Sequence, residues 1–256
     1  VNCFSHFSMF WKSLPKSLGE WFVYREVCMS LGVKAKYLIL AFVPYSIIYF
    51  LFQTGIIAHE YDLLMGVDTQ IPFVPEFVWI YHTLIPVTAA SCFMLFHDKK
   101  LFSLMTYGNL AAGVVLCIFY VLIPSYYPRA AYVDTNTISG LLVELTRGID
   151  GANNTFPSGH VTFSWLLAYF VGLSKRGKQY LSLRLAYLGW AALIAASTLM
   201  LKQHYLIDVI SGITLASIIF YISRKMYLFR RTSKLVITDV DFIPRGTSAK
   251  EVPVDC

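Results

Sequence analysis

Residues 204–223 read HYLIDVISGITLASIIFYIS, twenty positions with one charged side chain, Asp208, stopped on the far side by Arg224 and Lys225. A helix rises about 1.5 Å per residue, so twenty residues cover about 30 Å, the thickness of the hydrocarbon core of a bilayer. The stretch predicts a transmembrane helix that carries an acid just inside its entrance. Five further apolar blocks lie at about 36–57, 74–96, 102–123, 157–173 and 181–201. Of the 256 residues, 57% are hydrophobic and 14% charged, and the mean hydropathy is +0.59. That balance excludes an ordinary soluble domain. Backbone polar groups in lipid must be satisfied within the chain, so the expected fold is all-α, a six-transmembrane-helix bundle.

The formal charge of +6 raises the question of a nucleic-acid partner, but the basic residues sort by side of the membrane instead. With the N-terminus in the cytoplasm, every Lys and Arg except Arg129, Arg147 and Lys202 falls inside. The outer loops carry Glu60, Asp62, Asp68, Asp134, Glu144 and Asp150. This bias predicts that both termini are cytoplasmic and that the partner is a lipid bilayer, not nucleic acid.

Residues 1–35, where Phe7, Trp11, Trp21 and Phe22 interleave with Lys12, Lys16 and Arg25, read as a cytoplasmic or interfacial segment. Residues 36–223 form the six-helix membrane domain and 224–256 a basic cytoplasmic tail. Cys92 and Cys117 fall in spans and Cys3, Cys28 and Cys256 on the cytoplasmic side, so no disulfide is expected. The aromatic residues between Pro72 and Tyr81 read as an interfacial belt. His59, His82 and His97 read as interface or packing residues. The link from Met200 to Gln203 is so short that the fifth and sixth spans should be antiparallel neighbours.

Three polar clusters fall at the outer membrane surface. Arg129 follows the third span, Ser158-Gly159-His160 opens the fourth, and His204 with Asp208 opens the sixth. His204 and Asp208 are four apart, which on a helix puts them on one face. A carboxylate there can bind one ring nitrogen and leave the other aimed at a substrate. An acid inside a span is costly without such a partner. Ser158, Gly159 and His160 sit where the N–H groups of a helix start are unpaired and its dipole is positive, which is an anion site. Pro157 suits that position because it lacks an N–H. The forked donors of Arg129 match phosphate oxygens. Two histidines flanking a bound phosphate imply a nucleophile and an acid.

The order arginine, then Pro157-Ser158-Gly159-His160, then a histidine four residues before an aspartate resembles the type 2 phosphatidic acid phosphatase superfamily. The resemblance covers the span pattern and roughly residues 120–215. Residues 72–81 and 202–208 look most like the branch containing inositol phosphorylceramide synthases and their bacterial relatives. The resemblance implies a phosphatase-like catalytic domain in which His204 attacks phosphorus to give a phosphohistidine and Asp208 orients it. It implies that His160 protonates the leaving oxygen and that Arg129, Ser158 and Gly159 hold the phosphate. The substrate is then a membrane lipid phosphate, handled on the extracytoplasmic side of an integral membrane protein without a cofactor. A phosphoinositol transferase is the alternative activity.

The sequence departs from the family pattern at three places. Leu122 stands where the family has a lysine, Ala130 where it has a proline, and Thr198 where it has an arginine. Lys202, two residues before His204, is the cation that can supply a missing charge to the phosphate. His160, His204 and Asp208 are also plausible metal ligands, but a nearby Arg129 disfavours a cation, so no metal is expected. A reading from another class, a small transporter with a His204–Asp208 proton relay, requires polar residues through the bundle. Here they cluster at one edge.

Overall fold

The computed structural model describes residues 29–53, 61–129 and 133–238, with side chains as far as Met226. The aromatic and basic residues before Met29, together with His59, Glu60 and Ala130, lie outside the described residues, as does the tail beyond Thr238.

The helices are α1 (Leu31–Gln53), α2 (Val78–Tyr81), α3 (Leu84–Met94), α4 (Lys99–Leu122), α5 (Ile138–Ile149), α6 (Gly159–Leu173), α7 (Lys175–Gln179), α8 (Leu181–Met200) and α9 (Leu206–Thr238). Side chains fix several of the starts by accepting an otherwise orphaned N–H. Lys100 N–H donates to Asp98 Oδ1 at 2.8 Å to begin α4. Gly140 N–H donates to Thr137 Oγ1 at 3.0 Å to begin α5, and Gly177 N–H donates to Ser174 Oγ at 3.0 Å to begin α7.

Among the described residues, five stretches are long and apolar enough to cross a membrane: Leu31–Gln53, Pro75–Met94, Lys99–Leu122, Leu181–Met200 and Leu206–Met226. The protein is an integral membrane protein. The block expected at 157–173 becomes α6, with 15 residues, shorter than the roughly 17–25 residues of an ordinary span. Its burial explains its length. Val161, Leu166, Leu167, Phe170 and Val171 are all enclosed, and α6 packs against α3, α4, α8 and α9. A helix walled in by protein need not match the lipid thickness.

The same placement changes the expected helix neighbours. The short link after Met200 does not make α8 and α9 close partners, because α6 wedges between them. Val161 and Trp165 of α6 meet Ala195 and Leu199 of α8 on one side and Val209 and Ile213 of α9 on the other. The crossing with α9 is closest at Gly212. A Cβ there would lie 2.9 Å from the Ser158 carbonyl oxygen and 3.3 Å from Thr162 Oγ1, so the small residue lets the two backbones touch. A larger cluster around Phe102, Met105, Leu116, Tyr120, Leu166 and Phe170 joins α4 to α6. The last helix also runs past Arg224 to Thr238, beyond the point where the apolar run stops.

At the end of the bundle that holds the three polar clusters, the loops are tied together. Two short strands, β1 (Tyr61–Asp62) and β2 (Ser125–Tyr126), pair in parallel, and Tyr126 bridges to Asn153. Two-residue strands leave no periodicity in a sequence, and the all-α expectation misses them. The loop between residues 124 and 156 folds partly as α5, about three turns long. It buries Val143 against Val78, Tyr81 and Leu201.

Candidate active site

His204 sits in the turn between α8 and α9 and is 8% exposed. The Thr198 carbonyl accepts the N–H groups of both Gln203, at 2.9 Å, and His204, at 3.3 Å, and Lys202 takes a left-handed φ of 55° to make the bend. His204 Nδ1 lies 2.9 Å from the Thr155 carbonyl oxygen and 3.4 Å from Asp208 Oδ2. A carbonyl oxygen only accepts, so Nδ1 carries the proton and Nε2 keeps the lone pair.

His204 and Asp208 do meet, though not as two residues on one helical face. Because α9 begins at Leu206, the histidine precedes the helix and the aspartate lies in its first turn. Asp208 Oδ2 also accepts the Tyr205 N–H at 2.9 Å. Asp208 Oδ1 is buried without a hydrogen-bond partner among the described residues.

Two acids of the loop before α2 clasp the same turn. Leu206 N–H donates to Asp68 Oδ1 at 2.8 Å, which places a carboxylate at the positive end of α9. Tyr205 Oη donates to Asp62 Oδ1 at 2.6 Å, and its ring stacks on Tyr127 at 4.3 Å. Burial, joined by the Asp62 carboxylate, pushes the Tyr205 hydroxyl well above its ordinary titration range.

Ser158 caps α6, accepting the Val161 N–H at 3.4 Å on Oγ, and its own N–H donates to the Asp208 carbonyl at 3.1 Å. The start of α6 is thus bonded directly to the first turn of α9. The N–H groups of Gly159 and His160 have no partner among the described residues, as the first turn of a helix dictates. The space where a Cβ on Gly159 would stand is filled by Tyr45 Oη, with Tyr120 Oη 3.4 Å away, so no ligand can occupy it.

His160 is half-buried, its ring centroid 6.3 Å from that of His204. It stacks on Tyr81 at 4.2 Å and 28°, with Nδ1 3.4 Å from Tyr81 Oη. Tyr81 was expected in an interfacial belt; it is 3% exposed and belongs to the site. Its hydroxyl donates to Asp150 Oδ2 at 2.5 Å, and Tyr49 Oη donates to Asp150 Oδ1. Burial raises the pKa of Asp150, but His160, the two tyrosine hydroxyls and Arg129 together outweigh it and hold the carboxyl below its ordinary range.

Arg129 donates from Nη2 to the carbonyls of Asp150, at 2.9 Å, and Gly151, and from Nη1 to the carbonyl of Lys202 at 3.2 Å. Its Nε is buried without a hydrogen-bond partner among the described residues. Burial lowers its pKa, offset in part by Asp150. Arg129 therefore ties the segment before α6 to the turn that presents His204. Lys202 turns its Nζ to the Asp68 carbonyl at 2.9 Å, holding the acidic loop onto the same turn.

Neither departure from the cation pattern is repaired in place. Leu122 is 67% exposed and lines an apolar groove of about 420 Å³ with Tyr45, Ile48 and Phe52. Thr198 is fully buried, its hydroxyl spent on the Ala195 carbonyl at 2.8 Å. His82, expected as a packing residue, pairs Nε2 with Thr146 Oγ1 at 2.8 Å.

Residues 57–222, well over half of the chain, match the family model described as the PAP2 superfamily. The chain belongs to the PAP2 superfamily. No curated protein matches the chain. The match spans all the groups just described except Tyr45, Ile48, Tyr49 and Phe52 of α1, and with the apolar helices it fits a membrane protein of the phosphatase type. Sequence reading brought His204, Asp208, His160, Ser158, Gly159, Arg129 and Lys202 forward by spacing and by family order. It missed Thr155, whose contribution is a main-chain atom, and it gave Tyr49 and Tyr81 no role, since tyrosines at span ends look alike whatever they face.

Proposed function

We propose that this PAP2 protein cleaves or transfers the phosphate of a lipid-linked substrate through a phosphohistidine on His204, at the extracytoplasmic face of a six-span bundle. One observation carries the reading: His204 has its Nδ1 proton fixed by the Thr155 carbonyl, beside a helix start whose Gly159 and His160 N–H groups are unpartnered. A lone pair on nitrogen next to an anion-binding helix terminus is what phosphoryl transfer requires.

In the first step His204 Nε2 attacks phosphorus. The bond from phosphorus to the lipid alcohol oxygen breaks, and His160 Nε2 gives that oxygen its proton. In the second, water or an alcohol attacks the phosphohistidine, its proton goes to His160, and the P–N electrons return to His204. The imidazolium formed on His204 keeps its Nδ1 proton throughout, shared with Thr155 and Asp208. Ser158 Oγ, the α6 N–H groups, Arg129 Nε and Lys202 hold the phosphate oxygens, the last after leaving the Asp68 carbonyl. In the phosphoinositol-transferase reading, favoured by the resemblance at residues 72–81 and 202–208, the donor is a phosphodiester, the bond to its lipid alcohol breaks in the same way, His204 carries the phosphoinositol group, and a second alcohol takes it.

The sidedness rests on the order of Lys and Arg along the sequence, all of which except Arg129, Arg147 and Lys202 fall in segments expected on the cytoplasmic side. The test is to incubate the purified protein with a panel of lipid phosphates, with and without alcohol acceptors. Release or transfer of phosphate that persists in chelator is the expected result. No turnover by folded protein on any substrate would sink the reading.

A further inference from the structure

Building on the histidine chemistry proposed above, we infer that Asp150 and Tyr81 are a second pair of positioning residues, which orient the His160 ring so that its Nε2 meets the leaving group. Asp150 is half-buried, and among the described residues it makes no ion pair; those formed are Arg147 with Glu144 and His204 with Asp208. Its two carboxylate oxygens instead accept from the neutral phenols of Tyr49 and Tyr81. Arg129 holds its main-chain carbonyl, not its carboxylate. The negative charge is therefore fixed in place without being cancelled.

The single proton of Tyr81 points at Asp150. What faces His160 Nδ1, 3.4 Å away, is a lone pair on the phenol oxygen, so Nδ1 must be the donor. That leaves Nε2 as the nitrogen that meets substrate, and the stack of ring on ring at 4.2 Å fixes its plane. Burial acts first on His160 and disfavours the imidazolium; among the charges, Asp150 favours it and His204 and His82 oppose it, while Arg129 acts on Asp150 and Tyr81 from the other side. Asp150 is thus the group that offsets part of the cost of placing a proton on the His160 ring. The reciprocal effect agrees, since His160 is the strongest of the groups that draw the Asp150 carboxyl down against its burial. Each histidine then has an acceptor on Nδ1 and an aspartate behind it, directly for His204 and through a hydroxyl for His160.

The test compares Asp150→Asn, Tyr81→Phe and His204→Ala in the full chain, on a dialkyl-chain lipid phosphate and on p-nitrophenyl phosphate. An alkoxide must be protonated as it leaves, whereas nitrophenolate need not be. Asp150→Asn should lose about 100-fold on the lipid phosphate, within the usual range for general acid catalysis, and less than about threefold on the aryl phosphate. The alkaline limb of its pH–rate profile should move to lower pH. Tyr81→Phe, which keeps the stacked ring, should show the same pattern with about a tenfold loss on the lipid phosphate.

Equal losses on the two substrates, with an unmoved alkaline limb and an unchanged unfolding temperature, would overturn the assignment and make Asp150 a purely structural tie. If Asp150→Asn does not fold, Tyr81→Phe decides alone, by the same contrast between substrates. A His204→Ala variant that stays active on both substrates would refute the phosphohistidine reading itself, and is told apart because it does not depend on Asp150 or Tyr81.

Discussion

The two histidines of the site are held in contrasting ways. His204 is enclosed, with Nδ1 on a main-chain carbonyl and a carboxylate and with its turn clasped by Asp62 and Asp68 through Tyr205 and Leu206. His160 opens a helix, stacks on one aromatic ring and reaches its carboxylate only through the Tyr81 hydroxyl. A nucleophile must keep one tautomer through both half-reactions, and a backbone acceptor ensures this because it cannot rotate away or titrate. A group that gives up a proton and takes it back must sit near balance, and a hydroxyl between it and a buried charge tempers the attraction. The difference between the cages matches the difference between the proposed roles.

Four experiments would break or sharpen that contrast. The largest effect belongs to His204→Ala, expected to lower turnover by at least about 10,000-fold on every substrate, since nothing else can form the covalent intermediate. Single-turnover trapping of phosphoprotein should vanish with it. Next is Asp208→Asn. Where an aspartate alone sets a histidine's tautomer, the amide costs about 10,000-fold. Here the Thr155 carbonyl still holds the Nδ1 proton, so we expect a loss nearer 10- to 100-fold by comparison with that case. A loss as large as that of His204→Ala would show that the carboxylate, not the carbonyl, fixes the tautomer.

Ser125→Ala probes the carbonyl indirectly. Ser125 is fully buried, pairs its Oγ with Thr155 Oγ1 at 2.8 Å and accepts the Phe156 N–H at 2.9 Å, so it pins the segment that presents the Thr155 carbonyl. Its loss should destabilise the protein by about 1–2 kcal/mol, by hydrogen-bond removal in a buried site, and slow both substrates alike. The opposite result, slowing confined to the lipid phosphate, would move Ser125 to the acid side of the site.

The smallest effect is on acid stability. The folded pKa of Asp150 is depressed, so the group contributes stability that is fully present above the unfolded carboxylate value of about 3.9 and is lost as the pH falls through the lower folded value. The unfolding temperature of the wild type in detergent should fall more steeply below about pH 4 than that of Asp150→Asn. Parallel curves would remove Asp150 from the charged network.

Much of this was legible in the sequence, for identifiable reasons. Spans show because apolar length is additive along the chain, and the motif residues show because their spacing survives without coordinates. His204 and Asp208 were paired by helical spacing, and they do meet, yet the contact is made by a turn ahead of the helix. The neighbour relation of α8 and α9 was misjudged, because a short link fixes where two helix ends are and not what lies between their bodies. Tyr81 was hidden among the aromatics of residues 72–81, where Trp79 is exposed as a belt residue should be. Asp150 reads in the sequence as a loop residue lining the site entrance beside Arg147, and only the chain's return past α1 and α2 brings Tyr49 and Tyr81 onto it.

The Thr155 carbonyl has a consequence for how such a site is mapped. Every residue offers the same C=O at that position, so a replacement that keeps the hydroxyl bonded to Ser125, such as Thr155→Ser, would score as neutral while the atom that matters is never altered. Function would fail there only when the path of the main chain is displaced, through Ser125, Gly212 or the bend at Lys202. Sensitivity at those three positions, with tolerance of Thr155→Ser, is the fingerprint of a catalytic state held by the backbone.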